Sequence, residues 1–217
     1  YQTCTLEDWS ADDYTSIFSQ AKVNWQERRG LAVALASAIA RREDQLIIDA
    51  MAASSTSNTV SEDVGGTDTG LNVEKIIDAG EKLDTNEVEE GDRYFVAHTK
   101  GKAQLLNETK FTSSDYAGVK ALVNGEANSF MDFTFKWIGN RVEEGGLSLA
   151  ANVRQNFAFK GGDVMAAVGM AIGSELDHRT DVSWVPTKKS WLSSHDFSAG
   201  ATHIDAVGIV EVSSQEP

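Results

Sequence analysis

The chain has 217 residues and a mass of 23.5 kDa, long enough for one large domain or two small ones. Hydrophobic residues are 41% and charged residues 24%, which excludes a fully disordered chain. A single cysteine, Cys4, excludes an internal disulfide framework and a cysteine-based zinc site. Nineteen basic residues stand against 33 acidic ones, for a net charge of −14, the wrong sign for a general nucleic-acid binder.

In chain order, a short helix is expected near Ala11–Gln20, with Ser10 as its N-cap. A long helix follows over Glu27–Ala52, where Leu31, Leu35, Ile39, Leu46, Ile47, Ala50 and Met51 fall near one face. Its alanines favour helix and leave room for close packing. At 1.5 Å per residue it is about 39 Å long, more than twice the radius of gyration of about 17 Å expected for a compact chain of this size. Its least charged run, Gly30–Ala40, is far too short to span a bilayer core, and Arg41-Arg42 close it. No membrane partner is expected, and no secretory signal opens the chain.

Residues 60–92 hold eleven acidic and two basic residues, most of the net charge. A solvated helix near Leu71–Leu83, flanked by acidic loops, accounts for this stretch. The Asp63…Asp68 loop lacks the alternating ligands and closing Glu of a calcium-binding loop. Arg93–His98 reads as a strand. A further helix is expected near Ser114–Asn124, closed by Gly125. Met131–Trp137 alternates apolar and polar residues, predicting a half-buried strand with a wet polar face. Asp163 is a candidate N-cap for a helical turn through Ala167. Asp181–Trp191 reads as a strand held to an edge or bulge by Pro186. Ile204–Val212 is apolar on both parities, a strand covered on both sides. Helices and strands mix without a βαβ rhythm, which gives an α+β fold.

Catalytic motifs are missing: no dinucleotide or P-loop fingerprint, no His-Glu-x-x-His and no Gly-x-Ser-x-Gly. His98, His178, His195 and His203 show no ligand spacing, and Cys4 has no basic neighbour to activate it. Glu89-Glu90 and Glu143-Glu144 are better explained as surface loops than as acid/base pairs. No catalytic residue, cofactor or metal is expected. Phe157, Phe159, Trp184, Trp191 and Phe197 are read as core, with subunit contact as the alternative.

Four stretches, in this order, carry a resemblance to the tailed-bacteriophage major capsid proteins of the Hong Kong ninety-seven fold. The first is the long helix ending IARREDQLIIDAM. The second is AGEKLDTNEVEEGDRYFVAHTKGKAQLL, with Leu83, Asp84, Gly91, Arg93, Leu105 and Leu106 in the family's places; it reads as a helix, an acidic turn, a strand, then a turn and Leu-Leu. The third is VNGEANSFMDFTFKWIGNRV. The fourth is FAFKGGDVMAAVGMAIG followed by SAGATHIDAVGIVEV. The resemblance implies a spine helix with a peripheral-domain sheet and an axial domain at the capsomer centre. On that pattern residues 1–64 hold the spine helix and the first part of the peripheral domain, 65–159 the axial domain, and 160–217 the return to the peripheral domain. The family also has an amino-terminal arm and a projecting loop before the spine helix. The short segment ahead of Glu27 and the non-Met start fit a chain whose first part was cleaved off, left out or unseen.

The resemblance further implies a non-enzymatic subunit that assembles with copies of itself, in hexamers and pentamers, into the icosahedral head around a double-stranded DNA genome. Scaffold, portal and decoration proteins, and packaged DNA held by weak non-specific contact, are the further partners it implies. Its place is the virion capsid, assembled in the host cytoplasm. A bacterial nanocompartment shell, encapsulin-like, is the close alternative. A small α+β enzyme with a pocket joining His178 or His203 to carboxylates is the alternative of a different class. As intersubunit contacts, the acidic residues Glu87, Glu89, Glu90 and Asp92 are candidates to meet Arg141, Lys188 or Lys189 of a neighbour.

Overall fold

The computed structural model describes residues 2–22, 26–54, 57–108, 129–140, 145–163, 165–174 and 178–216. Along the chain run β1 (Glu7–Ser16), α1 (Ile17–Lys22), the long α2 (Glu27–Ala52), β2 (Thr59–Val60), α3 (Val73–Thr85), β3 (Arg93–His98) and α4 (Thr99–Asn107). They are followed by β4 (Ser129–Phe130), β5 (Phe133–Ile138), β6 (Leu149–Ala150), β7 (Val153–Lys160), β8 (Val168–Ile172), β9 (Arg179–Val185), β10 (Ser190–His203) and β11 (Ile209–Gln215). The mixture is α+β, as the sequence predicts.

These elements form two compact units, Tyr1–Asp49 with Gly169–Thr202, and Ala50–Val168 with His203–Pro217. The chain passes between these compact units at 49, 168 and 202; the domain boundaries that the resemblance implies are 64 and 159. The physical reason lies in strand pairing: β11 is hydrogen-bonded to β7 and β2, so the carboxy-terminal strand belongs to the second unit.

In the first unit β10 is the organising strand. β1 pairs with it antiparallel along its whole length, from Glu7↔Ala199 to Ser16↔Ser190. β9 takes the other edge at its start, and β8 also joins β10. Ile39 and Leu46 of α2 pack against Phe197 and Ala199, with Trp9, Ala11 and Met170 around them. The Arg42 guanidinium sits 3.7 Å from the Trp9 ring centroid, a cation–π contact beside this core. A Cβ at Gly200 would run into the Thr5 carbonyl, so only glycine lets the amino-terminal segment lie this close.

β1 overturns the expected helix at Ala11–Gln20. Ten residues of ladder with β10 outweigh the weak local helix pattern, and the Ser10 hydroxyl bonds to Asp12 instead of capping a helix. The helix begins only at Ile17, where Ser16 Oγ accepts the Phe18 N–H. Asp181–Trp191 is not one strand but a hairpin. Pro186 opens its turn, Lys188 N–H closes it on the Val185 carbonyl, and Lys189 adopts φ 49°.

The second unit is a seven-stranded sheet with the path β2-β11-β7-β3-β5-β4, and β6 beside β7. β3 runs parallel to β5 and antiparallel to β7. Asn72 caps α3 by accepting the Lys75 N–H. Ile76, Ala79 and Leu83 of α3 then meet Phe95, Phe133, Phe135, Val210 and Val212 of the sheet. Phe95 lies edge-on to Phe133 at 5.9 Å, and Phe135 stacks on Trp137 at 5.2 Å.

Glu216 and Lys75 each anchor a polar cluster inside this unit. Buried Glu216 accepts from His98 Nδ1 at 2.8 Å and from Arg154 at 2.9 Å, while Arg154 also donates to the Leu147 carbonyl. Burial pushes the Glu216 carboxyl up, but the Arg154 hydrogen bond and charge, helped by His98, outweigh it and hold it below the ordinary carboxylate value. Lys75 is fully buried and donates to the Thr69 carbonyl at 2.7 Å. Burial lowers its ammonium to about 8, although Glu62 and Asp63 pull it back up.

Further differences from the sequence pattern are local. Thr99–Asn107, read as a turn, is α4, with His98 at its N-cap. The strand read over Met131–Trp137 starts at Phe133, because Met131 and Asp132 form a tight left-handed turn, φ 48° and 67°. Thr134 and Lys136 do face water. The strand read from Ile204 begins at Ile209, after a 3₁₀ turn that Asp205 caps. Met165 has φ 57°, so the described residues form no helical turn after Asp163. The helix expected near Ser114–Asn124 lies outside the described residues.

Candidate intersubunit surface

The acidic stretch takes its shape from the end of α3. Val88 N–H bonds to the Leu83 carbonyl and Glu87 N–H to that of Asp84, the paired bonds of a Schellman cap. Glu87 holds the left-handed position, φ 57°, where glycine is usual. The loop then wraps around Arg93, only 3% exposed. This guanidinium reaches Asp84 at 2.7 Å and the carbonyls of Val88 and Glu89. Gly91 N–H donates to Asp132, and Lys160 Nζ donates to the Gly91 carbonyl. The backbone of the loop is thus fastened from inside by two buried cations.

The carboxylates point the other way. Glu87, Glu89, Glu90 and Asp92 are all exposed. Among the described residues none of the four has a cation within ion-pair distance. Lys188 and Lys189 occupy the exposed tip of the β9–β10 hairpin, in the other unit, with Lys188 Nζ 3.8 Å from the Tyr14 ring centroid. Arg141 lies outside the described residues, as do Glu143 and Glu144.

Beside the acidic loop is an open groove of about 540 Å³. Ile76, Gly80 and Phe133 form its floor, and Ile77 and Met131, 42% and 51% exposed, stand at its sides. Glu81, Asp84, Glu90 and Asp132 rim it. Sequence reasoning found Glu90 but missed the groove. Ile77 and Met131 are brought together only by the pairing of β5 with β3 and the packing of α3 on that sheet. The Glu81–Asp84 spacing of three on one helix was the available signal.

His178 does meet a carboxylate: its Nε2 lies 3.0 Å from Glu43, and its Nδ1 is 3.4 Å from His195 Nε2. Phe197 stacks on the same ring at 5.7 Å. All three polar groups are partly exposed side chains of the first unit. Among the described residues no group of three or more His, Cys, Asp or Glu could hold a metal ion. No helix among them is long and apolar enough to cross a membrane.

A family model described as phage capsid protein matches residues 1–216. Among solved structures, the capsid of the cyanophage P-SCSP1u matches with a TM-score of 0.74 at 15% identity, over 99% of this chain and 74% of that one. The acid-stable capsid of Helicobacter pylori bacteriophage KHP30 matches with a TM-score of 0.73 at 11% identity, over 99% and 76%. The encapsulin SrpI of Synechococcus elongatus matches with a TM-score of 0.59 at 9% identity, over 96% and 73%. At these identities the likeness is one of fold. No curated protein matches the sequence.

Proposed function

The chain belongs to the phage capsid protein family, and on that premise we propose that it is the major subunit of an icosahedral head enclosing the double-stranded DNA of a tailed phage. It is a structural, non-enzymatic protein of the phage capsid. Its capsid homologues build multimeric shells from copies of themselves. The observation that carries the reading is the family match over residues 1–216 of a chain whose whole fold follows phage capsids.

In this reading the first unit, with the spine helix and the long β10, is the peripheral domain, and the second is the axial domain. Hexamers and pentamers assemble in the host cytoplasm, with scaffold, portal and decoration proteins as further partners. Packaged DNA touches the shell weakly, a reading with which the net charge of −14 is compatible. An encapsulin-like nanocompartment has less support, since the encapsulin TM-score is 0.59 against 0.74 for the cyanophage capsid.

Light scattering on a size-exclusion column tests this. Megadalton particles with the absorbance ratio of nucleic acid are expected from infected cells. A protein-only shell containing an enzyme cargo would replace the phage reading with the nanocompartment one. A stable small oligomer under every assembly condition would contradict both.

A further inference from the structure

The acid-rimmed groove of the second unit combines three features. Its floor is apolar, its side walls expose Ile77 and Met131, and its rim carries Glu81, Asp84, Glu90 and Asp132 against the one cation Arg93. Arg93 is already committed to Asp84 and two backbone carbonyls. Among the described residues lining it, the site therefore keeps a negative charge that is not neutralised. The turn that lifts Met131 to the surface holds two non-glycine residues in the left-handed region, so an apolar side chain is displayed there at a backbone cost. Such a surface suits an apolar group followed closely by ammonium groups, and it disfavours an acidic segment.

The same chain carries one exposed tip of that chemistry. In the β9–β10 turn, Pro186 presents a bare ring, and Lys188 and Lys189 follow within three residues, with no acid in the turn. Pro186 opens that turn and the Lys188 N–H closes it, so the tip is preorganised and loses little conformational freedom on docking.

We propose that the groove between α3 and the β4–β5 turn receives the Pro186–Lys189 tip of a second copy of the chain. Pro186 lies against Ile77 and Met131, and the two ammonium groups meet Glu81, Glu90 and Asp132. The proposal rests on the shell reading, because a shell supplies that second copy, and it deepens it by naming both sides of one contact. Glu87, Glu89 and Asp92 flank the contact and steer the approach through their field.

The test uses full-length protein made as an equal mixture of ordinary and ¹⁵N-labelled chains. Carbodiimide joins a lysine amine to a touching carboxylate as an amide, and mass spectrometry separates mixed-isotope pairs from pairs within one chain. Mixed-isotope links from Lys188 or Lys189 to Glu81, Glu90 or Asp132 are expected in assembled particles. A second arm reverses charge: Lys188→Glu with Lys189→Glu should lower particle yield by about tenfold, as should Glu81→Lys with Glu90→Lys. Co-expressing the two double variants does not restore the match in every contact, but placing all four changes in one chain does. That chain should recover yield to within about threefold of the original. Circular dichroism of each variant before assembly separates misfolding from lost contact.

Shells that form without these links, links confined to single chains, or yields indifferent to reversal would overturn the docking and leave the shell reading standing. Mixed-isotope links in concentrated protein that never forms particles would keep the docking and overturn the shell reading. Neither links nor particles would overturn both.

Discussion

The two units bury their apolar residues very differently. Among the described residues the first unit has five buried hydrophobic side chains, Ile39, Leu46, Ile48, Phe197 and Ala199, whereas the second has twenty-one. Among the described residues the first unit nonetheless leaves eight large hydrophobics exposed, including Phe18 and Val33 at 62% each, against six in the larger second unit. The second unit closes a sheet over α3 and α4 and affords buried ions as well. The first is a long helix on a four-stranded sheet, with tryptophan and arginine stacked at its margins. On the shell reading, the difference predicts that the second unit holds its own structure while the first depends on what a neighbour adds.

The largest way to break this comparison is to damage the second unit's core. Phe95 touches both Phe133 and Phe135, and Phe95→Ala should cost about 3–5 kcal/mol in a urea melt, abolishing its cooperative transition at body temperature. A loss under 1 kcal/mol would mean that this core is not the stable one.

Next in size is the buried Glu216 cluster. Glu216→Gln leaves Arg154 with no compensating charge and should cost about 3 kcal/mol at pH 7. The folded-state pKa of Glu216 is depressed, so its contribution is complete above the ordinary 4.5 and is lost as pH falls through the lower folded value. In melts the gap between the two proteins should therefore narrow as pH falls below 4.5; a constant gap would refute the ion-pair account.

Lys75 gives a slope of the same sign, stability rising with pH, for a different reason: burial disfavours its charged form. Its pKa falls from 10.5 to about 8 on folding, so the unfolded chain holds the proton more tightly over that window. Its effect should make stability rise between pH 8 and 10.5, by up to about 3 kcal/mol. Lys75→Met should flatten that rise, and an unchanged slope would assign it to other groups. The smallest effect belongs to Glu87. Glu87→Gly relieves the left-handed position in the cap and should stabilise by about 0.5–1 kcal/mol, read as a shift in the urea midpoint.

Legibility in the sequence follows the same division. The bounds of α2 and β3 coincide with the sequence pattern, because long apolar periodicity and a compact β-rich run are local signals. β1 was misread because its ladder partner lies about 180 residues away, and EDWSADDYTS carries acids that weaken a strand pattern. The start of β5 was misread because Met131 continues the alternation of Phe133 and Phe135 while its backbone turns left-handed. α4 hid behind Gly101, where a Cβ would crowd the Leu71 side chain. As for the site, charge made the acidic loop visible. The groove was not, since no local pattern announces that residues 77 and 131 will share one surface.

The account's central claim is that a self-sufficient unit carries a second unit that assembly completes. Hydrogen–deuterium exchange on the free subunit and on the particle tests it most directly. Slow exchange in β3, β7 and β11 is predicted in both states, with α1 and the first half of α2 exchanging fast when free and becoming protected in the particle. Equal protection of the two units before assembly, or no gain in α1 and α2 within the particle, would contradict it.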